Sequence, residues 1–114
     1  MTGYLTTHVL DTARGLPAAG MRIRLYRLDG DRREALADMT TNADGRTDTP
    51  ILPATAFAPG DYELVFEAGA YLRAAKAPDG FLDLIPLRFR MEEAAHYHVP
   101  LLLSPFGYST YRGS

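Results

Sequence analysis

Three histidines are the residues of this sequence best suited to proton transfer. An unperturbed imidazole titrates near pH 6.5, so it can act as an acid or a base at neutral pH. The sequence contains His8, His96 and His98. His96 and His98 are two residues apart in a segment that alternates like a strand, so we expect both side chains on the same side of that strand.

The histidine pattern leaves three interpretations open. The first is acid–base catalysis, and the second is a metal site in which His8 is the third ligand. The metal signal is weak, because no carboxylate or further histidine stands at a recognisable ligand spacing. The third interpretation is that each histidine is simply a partly exposed strand residue.

Arg46 is the basic residue whose position could serve a substrate, because it follows Asp44-Gly45 at the exit of a predicted hairpin. A guanidinium there can bind a planar heterocycle or an oxyanion by paired hydrogen bonds, although an arginine beside a turn is usually solvated. Serine is a poor candidate for a nucleophile, because the sequence has no Gly-x-Ser-x-Gly motif. The glycines are spread through turns, which argues against a phosphate-binding loop.

The elements that position these residues are mostly strands. Residues 4–10 alternate, with Leu5, Thr7 and Val9 on one face and Thr6, His8 and Leu10 on the other. Similar patterns predict further strands at 21–28, 34–41, from about Arg46, 60–68, 85–91, 95–102 and 106–112. Turn and helix signals predict a type I′ hairpin at Asp29-Gly30, a tight connection at 42–45 and a short helix at 69–77 before Pro78.

Length and composition fit a single domain over residues 1–114. About eight strands and one short helix predict an antiparallel β-sandwich. The sequence has no cysteine, which excludes disulfides and thiolate chemistry. It carries 12 basic and 14 acidic residues, a net charge of −2, which gives no electrostatic footprint for nucleic acid. It has no apolar run of the roughly 20 residues that a membrane helix needs and no signal-peptide pattern, so we expect a cytoplasmic protein.

The segment HYHVPLLLSPFGYSTYRGS, residues 96–114, is richer in aromatic side chains than a terminal segment usually is. Its alternation predicts a last strand that Phe106 and Tyr108 anchor against its neighbour. Strand pairing does not account for the final Tyr-Arg-Gly-Ser, however, with its hydroxyls and its guanidinium.

Taken together, four motifs resemble the transthyretin-related 5-hydroxyisourate hydrolase family. They are THVLDT at 7–12, GLPAAG at 15–20, TNADGR at 41–46 and the segment 96–114 that ends in YRGS. The resemblance implies a transthyretin-like (prealbumin-like) sandwich of two four-stranded sheets, and a homotetramer built as a dimer of dimers. It also implies hydrolysis of the ring amide of 5-hydroxyisourate, in the breakdown of urate towards allantoin, without a metal or organic cofactor.

The family resemblance also implies roles for individual residues. The family's catalytic residues fall on His8, Arg46 and His98, whereas His96 is only their neighbour. The substrate-binding motif of the family falls on the last four residues, Tyr111, Arg112, Gly113 and Ser114. We expect one of the two catalytic histidines to take a proton from water and the other to donate to the departing ring nitrogen. We also expect the last four residues to lie near them and to face another subunit.

Two other kinds of protein share parts of this pattern. One is a transthyretin-like carrier that holds a small aromatic ligand without reacting it. The other is a structural or adhesion domain of the kind that repeats in longer exported chains. Both interpretations are disfavoured by the combination of the histidines with the final YRGS.

Overall fold

The computed structural model describes residues 2–113. This part of the chain contains ten strands, one α-helix and one short 3-10 helix. The strands are β1 (Tyr4–Thr6), β2 (Val9–Asp11), β3 (Leu16–Pro17), β4 (Arg22–Asp29), β5 (Arg32–Thr40), β6 (Gly60–Glu67), β7 (Leu84–Met91), β8 (His96–His98), β9 (Leu101–Ser104) and β10 (Gly107–Thr110). The 3-10 helix spans Ala54–Ala56, and α1 spans Ala68–Ala74.

The strands form two four-stranded sheets, which confirms the predicted transthyretin-like fold. Their orders are β10-β9-β2-β3 and β5-β4-β6-β7, and β1 forms a separate pair with β8. The sheet around β4 is antiparallel throughout, as predicted. By contrast, β1 runs parallel to β8 and β2 runs parallel to β9. The prediction of antiparallel pairing is therefore wrong for these two pairs, which join distant parts of the chain.

Four local predictions also need correction. The strand predicted at 4–10 is interrupted between β1 and β2, and the strand predicted at 95–102 is interrupted at Pro100, which has no N–H for a ladder. No strand begins at Arg46, which makes only an isolated bridge to His8. The β4–β5 hairpin turns at Gly30 and Asp31, because Asp29 ends β4 and pairs with Arg32. Of these two residues only Gly30 has a positive φ, 60°, so the turn is not type I′.

The core lies between the sheets and follows the predicted alternation. Leu5, Thr7 and Val9 are buried, and so are the apolar residues of the strand predicted at 21–28, Met21, Ile23 and Leu25.

The helix predicted at 69–77 is α1, which begins one residue earlier and ends three residues sooner. Neither α1 nor the 3-10 helix of the described segment has the length or apolarity to cross a membrane.

The last strand forms as predicted, but its aromatic side chains do not anchor it within the chain. β10 pairs with β9 in antiparallel register, so backbone hydrogen bonds hold it in place. Phe106 and Tyr108 are both exposed. Tyr108 is the register partner of the buried Leu103, so it lies on the core-facing side of the sheet, but the edge position of β10 leaves it exposed. Phe106 lies in the turn before β10. Neither side chain is buried, so the prediction that they anchor the last strand against its neighbour is wrong.

Candidate active site

The parallel pairing of β1 with β8 brings the two predicted catalytic histidines together. Thr6 is the register partner of His98, and His8 follows β1 by two residues. The Nδ1 atom of His8 lies 2.7 Å from the Nε2 atom of His98, a hydrogen bond between residues 90 positions apart. The two rings are stacked, with centroids 4.8 Å apart. We call His8 and His98 the histidine pair.

Thr6 extends this contact into a longer hydrogen-bonded chain. Its hydroxyl lies 2.7 Å from Nδ1 of His98 and 2.7 Å from Nε2 of His96. A hydroxyl has one proton, so it can donate to one of these rings while it accepts from the other. Tyr4 stacks on His96 with centroids 4.2 Å apart, which fixes the orientation of that ring.

A tightly bonded loop brings Arg46 to the histidine pair. The side-chain oxygen of Asn42 accepts hydrogen bonds from the backbone N–H groups of Asp44 at 2.9 Å and Arg46 at 3.2 Å. The backbone carbonyl of Gly45 accepts a 2.8 Å bond from Val9, which ties the loop to β2. The backbone of Arg46 forms an isolated antiparallel β-bridge with His8, and the residue is exposed.

Burial and neighbouring positive charges keep the histidine pair neutral at physiological pH. Burial, followed by the charges of His8, Arg46 and His96, lowers the pKa of His98 to about 4. The pKa of His8 is also lowered, mainly by burial and then by Arg46. Each neutral imidazole has one unprotonated nitrogen, so the pair can take a proton from water near pH 7.

The C-terminal residues divide between two places. Gly113 lies against the histidine pair, where its N–H donates a 2.6 Å hydrogen bond to the carbonyl of His98. Arg112 lies over the ring of Tyr97 at 4.3 Å, and Tyr111 is exposed. Both line a groove of about 690 Å³ along β7. Ser114, the last predicted site residue, lies outside the described residues.

We expect Gly113→Ala to lower kcat/KM about 10- to 100-fold with little loss of stability. An added Cβ would lie 2.8 Å from Cδ2 of His98, so the imidazole would have to move, and displacements of this kind are costly in catalysis. Gly107→Ala is the matched control, because a Cβ there meets only the Ser104 hydroxyl at 3.8 Å. Steady-state kinetics and thermal unfolding of both variants test this. Equal kinetics for the two variants would contradict it.

Two residues of this site were missed at the level of sequence. Thr6 lies on the same predicted face as His8, but nothing in the alternation indicates that its hydroxyl joins two imidazoles. Asn42 belongs to the TNADGR motif, yet its role in shaping the loop depends on backbone geometry.

Within residues 2–113, no group of three side chains is placed to hold a metal ion. The facing nitrogens of the three histidines instead bond to one another or to Thr6.

Comparison with known proteins gives consistent results over nearly the whole chain. Residues 5–113 match the model of the HIUase/Transthyretin family. A Mesorhizobium japonicum protein named 5-hydroxyisourate hydrolase is 63% identical over 115 residues, which cover 98% of this chain and 93% of that protein.

Solved structures give the same picture. The crystal structure of an (S)-allantoin synthase superposes with a TM-score of 0.92 at 46% identity, over 99% of this chain but only 44% of that longer chain. The Klebsiella pneumoniae 5-hydroxyisourate hydrolase has a TM-score of 0.84 and 38% identity, over 98% of this chain and 99% of the other.

Proposed function

This chain belongs to the HIUase/transthyretin family, and from that membership we infer that it hydrolyses 5-hydroxyisourate by attack of a histidine-activated water. It is an enzyme, a hydrolase that opens the ring amide of its substrate. The observation that carries this conclusion is the 2.7 Å hydrogen bond between two imidazoles of lowered pKa, beside Arg46. The present chain, which has this arrangement, is 63% identical to a protein named 5-hydroxyisourate hydrolase.

The reaction we assign to the site has two proton transfers. A neutral imidazole of the histidine pair takes a proton from water as the water oxygen attacks the amide carbon. The pair then returns the proton to the ring nitrogen as the carbon–nitrogen bond breaks. Arg46 binds the ring and stabilises the developing oxyanion, a contribution often worth about 3–4 kcal/mol. The product is 2-oxo-4-hydroxy-4-carboxy-5-ureidoimidazoline.

The C-terminal residues form the substrate-binding wall in this proposal. Gly113 supports it by its contact with His98, and Tyr111 and Arg112 line the neighbouring groove. The family resemblance assigns Ser114, which lies outside the described residues, to substrate binding as well.

An absorbance assay with freshly generated 5-hydroxyisourate tests the function. We expect the wild-type protein to remove the substrate faster than spontaneous decay does. The informative comparison is a variant that lacks the last four residues, which we expect to be much slower because Gly113 no longer supports His98. A wild-type rate equal to spontaneous decay would reject the enzyme and leave a carrier of the same fold.

We expect the acid limb of the kcat/KM profile to have its midpoint below pH 6.5. The base must be neutral, and burial lowers the pKa of both imidazoles, so activity persists into more acidic solution than an ordinary histidine would allow. The profile should be measured from pH 4.5 to pH 8 in buffers of constant ionic strength. A midpoint at or above the ordinary histidine value would contradict this protonation scheme.

The assembly we propose is a homotetramer, a dimer of dimers. Within the described part of the chain, β7 and β10 are edge strands with one free side each. Phe106, Tyr108 and Tyr111 expose aromatic surface on or beside β10, as a subunit contact requires. Sedimentation analysis should give four times the 12.6 kDa chain mass, and a mass of one chain would contradict the proposal.

The location we propose is cytoplasmic, because a cysteine-free chain needs no oxidising compartment to fold.

A further inference from the structure

We propose that Thr6 and His96 are positioning residues that set the tautomer of His98 and thereby make His8 the general base. The inference rests on the proposed hydrolysis and extends it to two residues to which the family resemblance gives no role. It starts from the hydrogen-bonded series His8–His98–Thr6–His96, which we call the imidazole chain.

Three bonds of equal length make up the imidazole chain. The separations are 2.7 Å between His8 and His98, 2.7 Å between His98 and Thr6, and 2.7 Å between Thr6 and His96. The strand register supports this order, because Thr6 pairs with His98 and Tyr4 pairs with His96 in the parallel ladder. Since Tyr4 also stacks on His96, the far end of the imidazole chain has a fixed ring.

The imidazole chain occupies both ring nitrogens of His98. Its Nε2 atom faces His8 and its Nδ1 atom faces Thr6. His98 therefore has no nitrogen left for a water or substrate atom, whereas His8 uses only Nδ1 in the imidazole chain. The Nε2 atom of His8 is thus the atom that takes the water proton and later donates it to the departing ring nitrogen. His98 acts through His8.

The direction of the hydrogen bonds decides whether His8 can be a base. If Thr6 donates to His96, it accepts from Nδ1–H of His98, whose Nε2 then accepts from Nδ1–H of His8. The Nε2 atom of His8 is then unprotonated and basic. If Thr6 donates to His98 instead, every bond reverses and His8 carries its proton on Nε2. Because a neutral imidazole has one N–H, each bond fixes the next.

The imidazole chain also gives the accepted proton a path. When Nε2 of His8 takes a proton, its Nδ1 proton can shift to His98, the Nδ1 proton of His98 to Thr6, and the Thr6 proton to His96. The positive charge then resides on His96 and not on the two rings whose pKa is lowered by burial and by Arg46. The reverse shift restores the proton to His8 for the leaving nitrogen, so no proton is lost.

Threonine variants test the proposal. Thr6→Val removes the hydroxyl but keeps the shape, and we expect kcat to fall about 10- to 100-fold with KM within about threefold. This is smaller than the ~10⁴-fold effect of losing a charged orienting partner of a catalytic histidine. Thr6→Ser should restore kcat to within about threefold of the wild type. Thr7→Val is the matched control: it removes a buried hydroxyl that, among the described residues, bonds to the Val99 carbonyl and to no histidine, and should lower Tm but not kcat.

A second variant and a spectroscopic readout complete the test. His96→Phe keeps the stack on Tyr4 but removes Nε2, so we expect kcat to fall about 3- to 10-fold. This variant tests the proposal whether or not Thr6→Val folds. Nitrogen-15 NMR of the imidazoles should show one tautomer of His98 in the wild type and a mixture in Thr6→Val. Wild-type kcat and tautomers in the variants would overturn the proposal, as would a failure of Thr6→Ser to restore kcat or an equal kcat loss in Thr7→Val. If the wild type does not hydrolyse 5-hydroxyisourate, the proposed function fails, while the NMR comparison still decides whether Thr6 sets the tautomer.

Discussion

His98→Asn should lower kcat/KM about 10²- to 10⁴-fold, the range typical of losing an acid–base group. Asparagine can fill most of the space, but its amide cannot accept a proton from His8 and pass another to Thr6 as the imidazole does. The variant also ends the hydrogen bond to Nδ1 of His8, so that ring loses its fixed tautomer. Initial rates with freshly generated 5-hydroxyisourate, corrected for spontaneous decay, measure the effect.

The stability of this variant separates chemistry from folding. His98 sits at the end of β8 and is half-buried, and its backbone bond from Gly113 does not involve the side chain. We therefore expect the midpoint of thermal unfolding and the assembled mass to stay close to those of the wild type. Full activity with an unchanged pH profile would show that the histidine pair does not carry the reaction.

Gly45→Ala should lower the free energy of unfolding by about 2–4 kcal/mol, the largest stability effect that we expect of a single methyl group in this chain. Gly45 has a φ of +72°, which L side chains rarely adopt. A Cβ there would overlap the carbonyl oxygen of Val9 and lie 3.2 Å from the backbone nitrogen of Ala18. Those two backbone groups bond to each other, so neither can move freely. Urea unfolding measures the loss.

Gly30→Ala is the matched control for this substitution. Gly30 has a similar φ of +60°, but a Cβ there meets no atom of residues 2–113 within 4 Å. The backbone strain alone should cost about 1–2 kcal/mol, so the excess at Gly45 reports the clash with β2. Because the clash also displaces the loop that carries Arg46, we expect only Gly45→Ala to lower kcat/KM as well. Equal losses of stability in the two variants would contradict the role assigned to this close approach.

Much of the fold could be predicted because period-two alternation decides which face of a strand is buried. The segment 4–10 shows this, since Leu5 and Val9 enter the core while Thr6 and His8 face the site. The spacing of His96 and His98 likewise predicted that both lie on one side, where both meet the Thr6 hydroxyl. Local periodicity carries this information because it depends only on neighbouring residues.

The rest of the fold and of the candidate site depends on relations between residues distant in sequence, which periodicity does not encode. The parallel register that sets Thr6 opposite His98 is one such relation, and it decides which nitrogen meets which. The exposure of Tyr108 is another, since it shares a face with the buried Leu103 and is left uncovered by the edge position of β10, which alternation does not define. The support that Gly113 gives His98 is a third, because it rests on the absence of a side chain.

The parallel pairing of β1 with β8 also has a consequence for how activity arises during folding. The residues that it joins are separated by 92 positions at Thr6 and His98, so nearly the whole chain must be closed into a loop before they meet. Contacts of such long range carry the full entropy of loop closure and slow the search for the native topology. A hairpin such as β4–β5 can form on its own beforehand, but the histidine pair cannot. In the mechanism we propose, catalysis is therefore a property of the completed topology, and recovery of activity on refolding reports the closure of the chain rather than the growth of its local structure.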